Sequence, residues 1–116
     1  MLSKLYRSTL ILVVLGMFFS VPMVNARPPK AGHVHDAVMH AQDAVDHGQQ
    51  GNAKGLVKEA KRSLYHAERG GKKPHLAEGI KRLKKAIKEG KAGHADAARE
   101  HAEAALTHLT EAEVKK

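Results

Sequence analysis

The chain has 116 residues, enough for one small domain, with no cysteine, no tryptophan and aromatics at 3%. Lys and Arg number 20 against 12 Asp and Glu, for a formal charge of +8, and histidine is the outlier at nine. These counts exclude disulfides, thiolate metal sites, c-type haem attachment and a lipoprotein anchor, and they do not fit a Rossmann unit or a β-sandwich.

Residues 1–26 have the parts of a secretory signal peptide. Lys4 and Arg7 form a positive n-region, residues 9–19 (TLILVVLGMFF) an unbroken apolar run, and Val24-Asn25-Ala26 a small-residue cleavage signal. The run is short of the roughly 20 residues that span a bilayer, and Pro22 interrupts its extension, so stable membrane insertion after cleavage is not expected. Cleavage after Ala26 leaves 90 residues with charge +6. An exported chain without cysteine suits an oxidising compartment such as a bacterial periplasm. Residues 27–32 (RPPKAG) are expected to be a flexible segment, since consecutive prolines fix φ and remove donors.

Glycines then punctuate the chain at Gly48 and Gly51, Gly70 and Gly71, and Gly90 and Gly93. Between them lie segments rich in Ala, Glu, Lys and Leu, all good helix formers, and glycine just past each is the expected stop. Four helices are predicted at about 33–48, 52–69, 74–90 and 94–113, with Asn52 as N-cap of the second. The chain also repeats at a spacing of 42 residues: His33 matches His75, Gly48 Gly90, Gly51 Gly93, Ala60 Ala102, Leu64 Leu106 and His66 His108. A shorter unit recurs in each helix: HAQDAVDH from His40, EAKRSLYH from Glu59, RLKKAIKE from Arg82 and HAEAALTH from His101. Two duplicated hairpins with short loops predict an all-α, antiparallel up-down four-helix bundle over residues 33–114.

Val34, Val38, Ala41 and Val45 step by four, three and four along the first helix, and Leu76, Ile80, Leu83 and Ile87 do the same along the third. These are core seams. An Ala-rich core buries little area, which predicts marginal or ligand-dependent stability.

The histidines run in series. His33, His40 and His47 step by seven, as do His94, His101 and His108, so each set lies on one stripe beside the aliphatic seam. Histidines seven apart are about 10.5 Å apart along the axis and cannot share an ion whose ligands sit near 2 Å. A site therefore needs a donor three or four residues away or one from a neighbouring helix. Asp36, His40, Asp43 and His47 meet the first condition, stepping by four, three and four. His66 and His75 are further candidates. Neutral imidazole with carboxylate suits Cu(II), Ni(II) or Zn(II), and Cu(I) is disfavoured because Met39 is the one methionine left after cleavage.

Charge is segregated: residues 33–51 carry −3, residues 52–93 carry +9 and residues 94–114 carry −4. The acidic, His-bearing outer helices suit a cation. The second and third helices, densest at KRLKKAIK from Lys81, support an alternative reading as a basic helical protein that binds polyanions or an anionic membrane surface. Nucleic acid is not expected as a partner, because the chain is exported and lacks aromatics to stack on bases. No Ser/His/Asp order, HExxH or phosphate loop is present, so no enzyme is expected.

On the His-Ala-x-x-Ala-aliphatic-x-His unit, the Gly-x-x-Gly turns, the duplication and the leader, the chain from about Gly32 to Glu113 resembles the small metal-binding protein family of bacterial periplasm. The resemblance implies a histidine-rich four-helix bundle that sequesters or buffers divalent metals, copper above all. In the family pattern His opens and closes each unit. Here His40, His47, His66, His101 and His108 keep it, while Glu59, Arg82 and Glu89 replace it, which shifts the weight to the first and fourth helices. Their stripes would meet in three level pairs, His33 with His108, His40 with His101 and His47 with His94. The alternative pairs the first helix with the second and the third with the fourth. A monomer is expected.

Overall fold

The computed structural model describes residues 29–114. They form four helices: α1 (Pro29–Gln49), α2 (Ala53–Ala67), α3 (Pro74–Lys91) and α4 (Ala95–Val114). Residues 1–28, and with them the predicted signal peptide, lie outside the described residues. α1 starts four residues earlier than the periodicity predicts, so residues 29–32 are helical rather than irregular. The reason is local. In the first turn of a helix no acceptor waits for the missing proline N–H, and Pro29 already has a helical φ.

Each helix packs against its two neighbours in the ring α1-α2-α3-α4, with a lesser contact between α2 and α4. The α1/α2 and α1/α4 interfaces are antiparallel, because their paired residues run in opposite directions. α1 meets α2 through His33 with His66 and His40 with Glu59. α4 meets α1 through Glu113 with His35 and Arg99 with Gly48. A Cβ on Gly79 would meet Leu109 across α3 and α4, and one on Gly90 would meet Val57 across α2 and α3. Among the described residues no helix is long and apolar enough to cross a membrane.

The core follows the predicted seams. Val34, Ala41, Val45, Leu76 and Leu83 are buried, with Val38, Ile80 and Ile87 packed against them from the flank. Ala37, Ala44 and Ala86 complete the stripe, and Leu56 and Leu109 fill the centre from α2 and α4. Ser63 and Glu59 are the buried polar residues among those described, and Ser63 is the fully buried one. Its buried hydroxyl donates to the Ala37 carbonyl at 2.7 Å and fixes the register of α2 on α1.

The first and third turns close on the same hydrogen bonds, position for position. Gly51 N–H donates to Gly48 and Asn52 N–H to His47, at 3.0 and 2.9 Å. Gly93 N–H donates to Gly90 and His94 N–H to Glu89, at 3.1 and 2.9 Å. This is a Schellman closure, with Gly51 at φ +72° and Gly93 at φ +84°. A Cβ on Gly51 would touch nothing within 4 Å, so Gly51→Ala carries the backbone cost alone. It should lower stability by about 1 kcal/mol, read from urea unfolding midpoints.

Candidate metal centre

Histidines gather along the groove between α1 and α2. The Nδ1 atoms of His33 and His66 face one another at 3.0 Å. The His40 ring stacks on His66 with centroids 5.6 Å apart and planes 3° apart. Asp36 Oδ2 stands 3.9 Å from His66 Nδ1. Further along, His40 Nδ1 donates to Glu59 Oε2 at 2.8 Å, and Arg62 Nη1 donates to Glu59 Oε1 at 3.1 Å. Glu59 is buried, and these two bonds satisfy a carboxylate that would be costly alone. With its proton on Nδ1, His40 keeps Nε2 free as a ligating atom. One ligand atom from each of His40, Asp43 and Glu59 lies within 4.8 Å of the others.

The donor set suits a metal. Two nitrogens held by one ion at about 2.0–2.1 Å lie roughly 2.9 to 3.4 Å apart for angles between square and tetrahedral. The 3.0 Å between His33 and His66 falls in that range. Burial also favours the neutral form of His66, the form that ligates. Burial lowers its pKa below the ordinary histidine value; Asp36 opposes this, while His33, His40 and Arg69 add to it.

The sign of the pH effect follows. At neutral pH His66 is uncharged in both folded and unfolded chains. Below about 6.5 the unfolded chain takes up a proton there that the folded chain resists, so the metal-free protein should lose stability as pH falls through that value. The groups facing His66 are Asp36, His33 and His40 from α1, and Tyr65 and Arg69 from its own helix. Thermal melts between about pH 7.5 and 5.5 check this, and His66→Gln should flatten the profile.

The predicted residues separate into groups. His33, Asp36, His40, Asp43 and His66 join the α1/α2 groove. His75 and His108 meet between α3 and α4, with ring centroids 5.8 Å apart. His47 contacts Asn52 at the first turn, and His94 contacts Glu89 at the third. His101 is half-buried and makes no hydrogen bond or ion pair among the described residues.

The level pairs across α1 and α4 do not form. With His35 on Glu113 and Gly48 against Arg99, His40 lies about two turns from the level of His101. The bundle's handedness turns the histidine flanks of α1 and α4 away from each other and toward α2 and α3. The residue the pattern undervalued is Glu59. It replaces a histidine of the repeat unit and so inherits the flank that faces His40, and a carboxylate there is still a ligand type.

Residues 4–112 of the chain match the family model described as small metal-binding protein. No curated protein matches the chain.

Proposed function

The chain belongs to the small metal-binding protein family, and from that premise we propose that it is an exported protein of the bacterial periplasm that sequesters or buffers divalent metal, Cu(II) foremost, with Ni(II) and Zn(II) as further cargo. The role is binding without turnover, by a monomer. The observation that carries this reading is the pair of imidazole nitrogens 3.0 Å apart on His33 and His66. Asp36, His40, Asp43 and Glu59 extend it along one groove. Nitrogen and carboxylate donors without sulfur favour these three ions over Cu(I). The leader at residues 1–26 supports export, with the processed chain expected to begin at Arg27.

Calorimetric titration of the purified protein with Cu(II), Ni(II) and Zn(II) tests the reading. Because imidazole must be neutral to ligate and its reference pKa is about 6.5, bound metal should be released as pH falls from about 7.5 to about 5. Affinity unchanged across that range would remove histidine from the site.

A further inference from the structure

We propose that the α2/α3 face of the bundle docks on an anionic lipid surface, lying flat and without insertion. This goes beyond the metal-binding reading and does not depend on it.

The bundle is charged unequally around its axis. Residues 52–93, which hold α2 and α3, carry +9, whereas residues 33–51 and 94–114, from α1 and α4, carry −3 and −4. In the ring α2 neighbours α3 and α1 neighbours α4, so the two signs fall on opposite sides of the molecule. A surface of one sign would orient it.

Two lysine stripes form the basic side. Lys54, Lys58 and Lys61 step by four and three along α2, and Lys84, Lys88 and Lys91 do the same along α3. All six are exposed. The histidine flanks place them. Glu59 and His66 turn that flank of α2 to α1, and His75 turns that of α3 to α4. The opposite flanks of α2 and α3 therefore face each other, with Val57 against Gly90 between them. Lys61 follows the buried Ala60, and Lys84 the buried Leu83, each about 100° further round toward that opposite flank. The stripes thus run side by side along the outside of the α2/α3 seam. Of the acids in residues 52–93, Glu59 is tied to His40 and Arg62, and Glu89 to His94, which leaves Glu68 and Glu78 to oppose the lysines.

The form of the face favours a membrane over a soluble polyanion. α2 and α3 have 15 and 18 residues, so the face is about 22–27 Å long. Lysine is a compact point charge on a flexible stem, which suits a loose lattice of lipid phosphates; bidentate phosphate recognition favours arginine. Leu64 and Ile87, three residues after Lys61 and Lys84, are half-buried aliphatics over which the lysine stems can lie. Tyr65 adds an exposed amphipathic ring, with Arg69 over its face at 3.5 Å, and such rings sit well at headgroup level.

The test uses the processed chain from Arg27, which carries the whole described bundle and has Tyr65 as its one tyrosine. It should sediment with phosphatidylcholine vesicles containing about one-third phosphatidylglycerol, not with phosphatidylcholine alone, and be released as salt rises from about 0.05 to about 0.5 M. Each lysine near an anionic surface contributes roughly fivefold to partitioning, so Lys58→Gln/Lys84→Gln/Lys88→Gln should weaken it about a hundredfold. Gln42→Glu/Thr107→Glu/Thr110→Glu makes the same change in net charge at exposed positions of α1 and α4, and should weaken it by less than about fivefold. A nitroxide on the lipid headgroup should quench Tyr65 fluorescence in the unaltered protein. Absence of sedimentation at low salt, equal losses in the two triple variants, or unquenched Tyr65 in the bound protein would each overturn the proposal. Retention on heparin by a protein that ignores the vesicles would assign the face to a soluble polyanion and overturn it too. None of these results bears on whether the protein takes up metal.

Discussion

Replacing His66 with alanine should weaken Cu(II) binding by roughly a hundredfold, the upper end of the range known for groups that support a metal. His66 is the joint of the groove: its Nδ1 faces that of His33, its ring lies on His40, and Asp36 stands 3.9 Å away. Removing it takes away the side chain that meets both His33 and His40. His101→Ala should change affinity by less than about twofold, since that ring has no polar partner among the described residues and surface changes of this kind cost little. The double variant His33→Ala/His66→Ala should bind little worse than His66→Ala, because two ligands to one ion fail together. Calorimetric titration of the unaltered protein, of His33→Ala, His66→Ala and His101→Ala, and of the double variant reads all of this. Additive losses for His33 and His66 would mean that they serve different ions.

Leu83→Ala should be the most damaging single change to the fold. Among the described residues the fully buried large aliphatics are Leu56, Leu76, Leu83 and Leu109, and alanine lines most of the remaining core. Emptying one of four such positions costs about 3 kcal/mol in transfer and cavity terms. A domain of this size holds roughly 5–10 kcal/mol in all. The melting temperature should fall on the order of 15 °C. Metal should compensate, because Leu83 lies on α3 while the imidazole pair joins α1 and α2. Free Cu(II) at about a hundred times its dissociation constant returns about 2.7 kcal/mol. Calorimetric melts with and without Cu(II) check both arms, and a metal response absent from the intact fold would show that the ion binds the unfolded chain equally well.

The helices were legible because their signals are local. Glycine stops, the apolar seam at spacings of three and four, and the N-cap at Asn52, whose side chain accepts from Gly55, all act within a turn or two. α1 starts earlier than the Pro28-Pro29 pair suggests, because a proline at the first position of a helix breaks nothing. The histidine stripe was legible for the same local reason, yet its partner helix was not. Equal flanks on four antiparallel helices satisfy either ring of neighbours, and the choice is made by how α2 settles on α1. The Ser63 hydroxyl on the Ala37 carbonyl contributes to that choice, and a lone serine in a sequence carries no sign of its distant acceptor. Glu59 escaped because a departure from a histidine pattern reads as loss until its neighbour across the groove is known.

The small side chains of the core also act as a gauge. Ala37, Ala41 and Ala44 on α1, and Ala60 and Ala67 on α2, are buried, and side chains this small at a helix contact favour axes toward the near end of the usual range of about 8–10 Å. At that thickness an imidazole on one flank reaches an imidazole on the next, as His33 reaches His66. Larger residues in those alanine positions would fill more volume and wedge the helices apart, and the nitrogens would lose their common bite on one ion. The thin middle of this bundle is therefore a dimension that the cargo requires, and efforts to harden the protein by fattening its interior would trade away its grip.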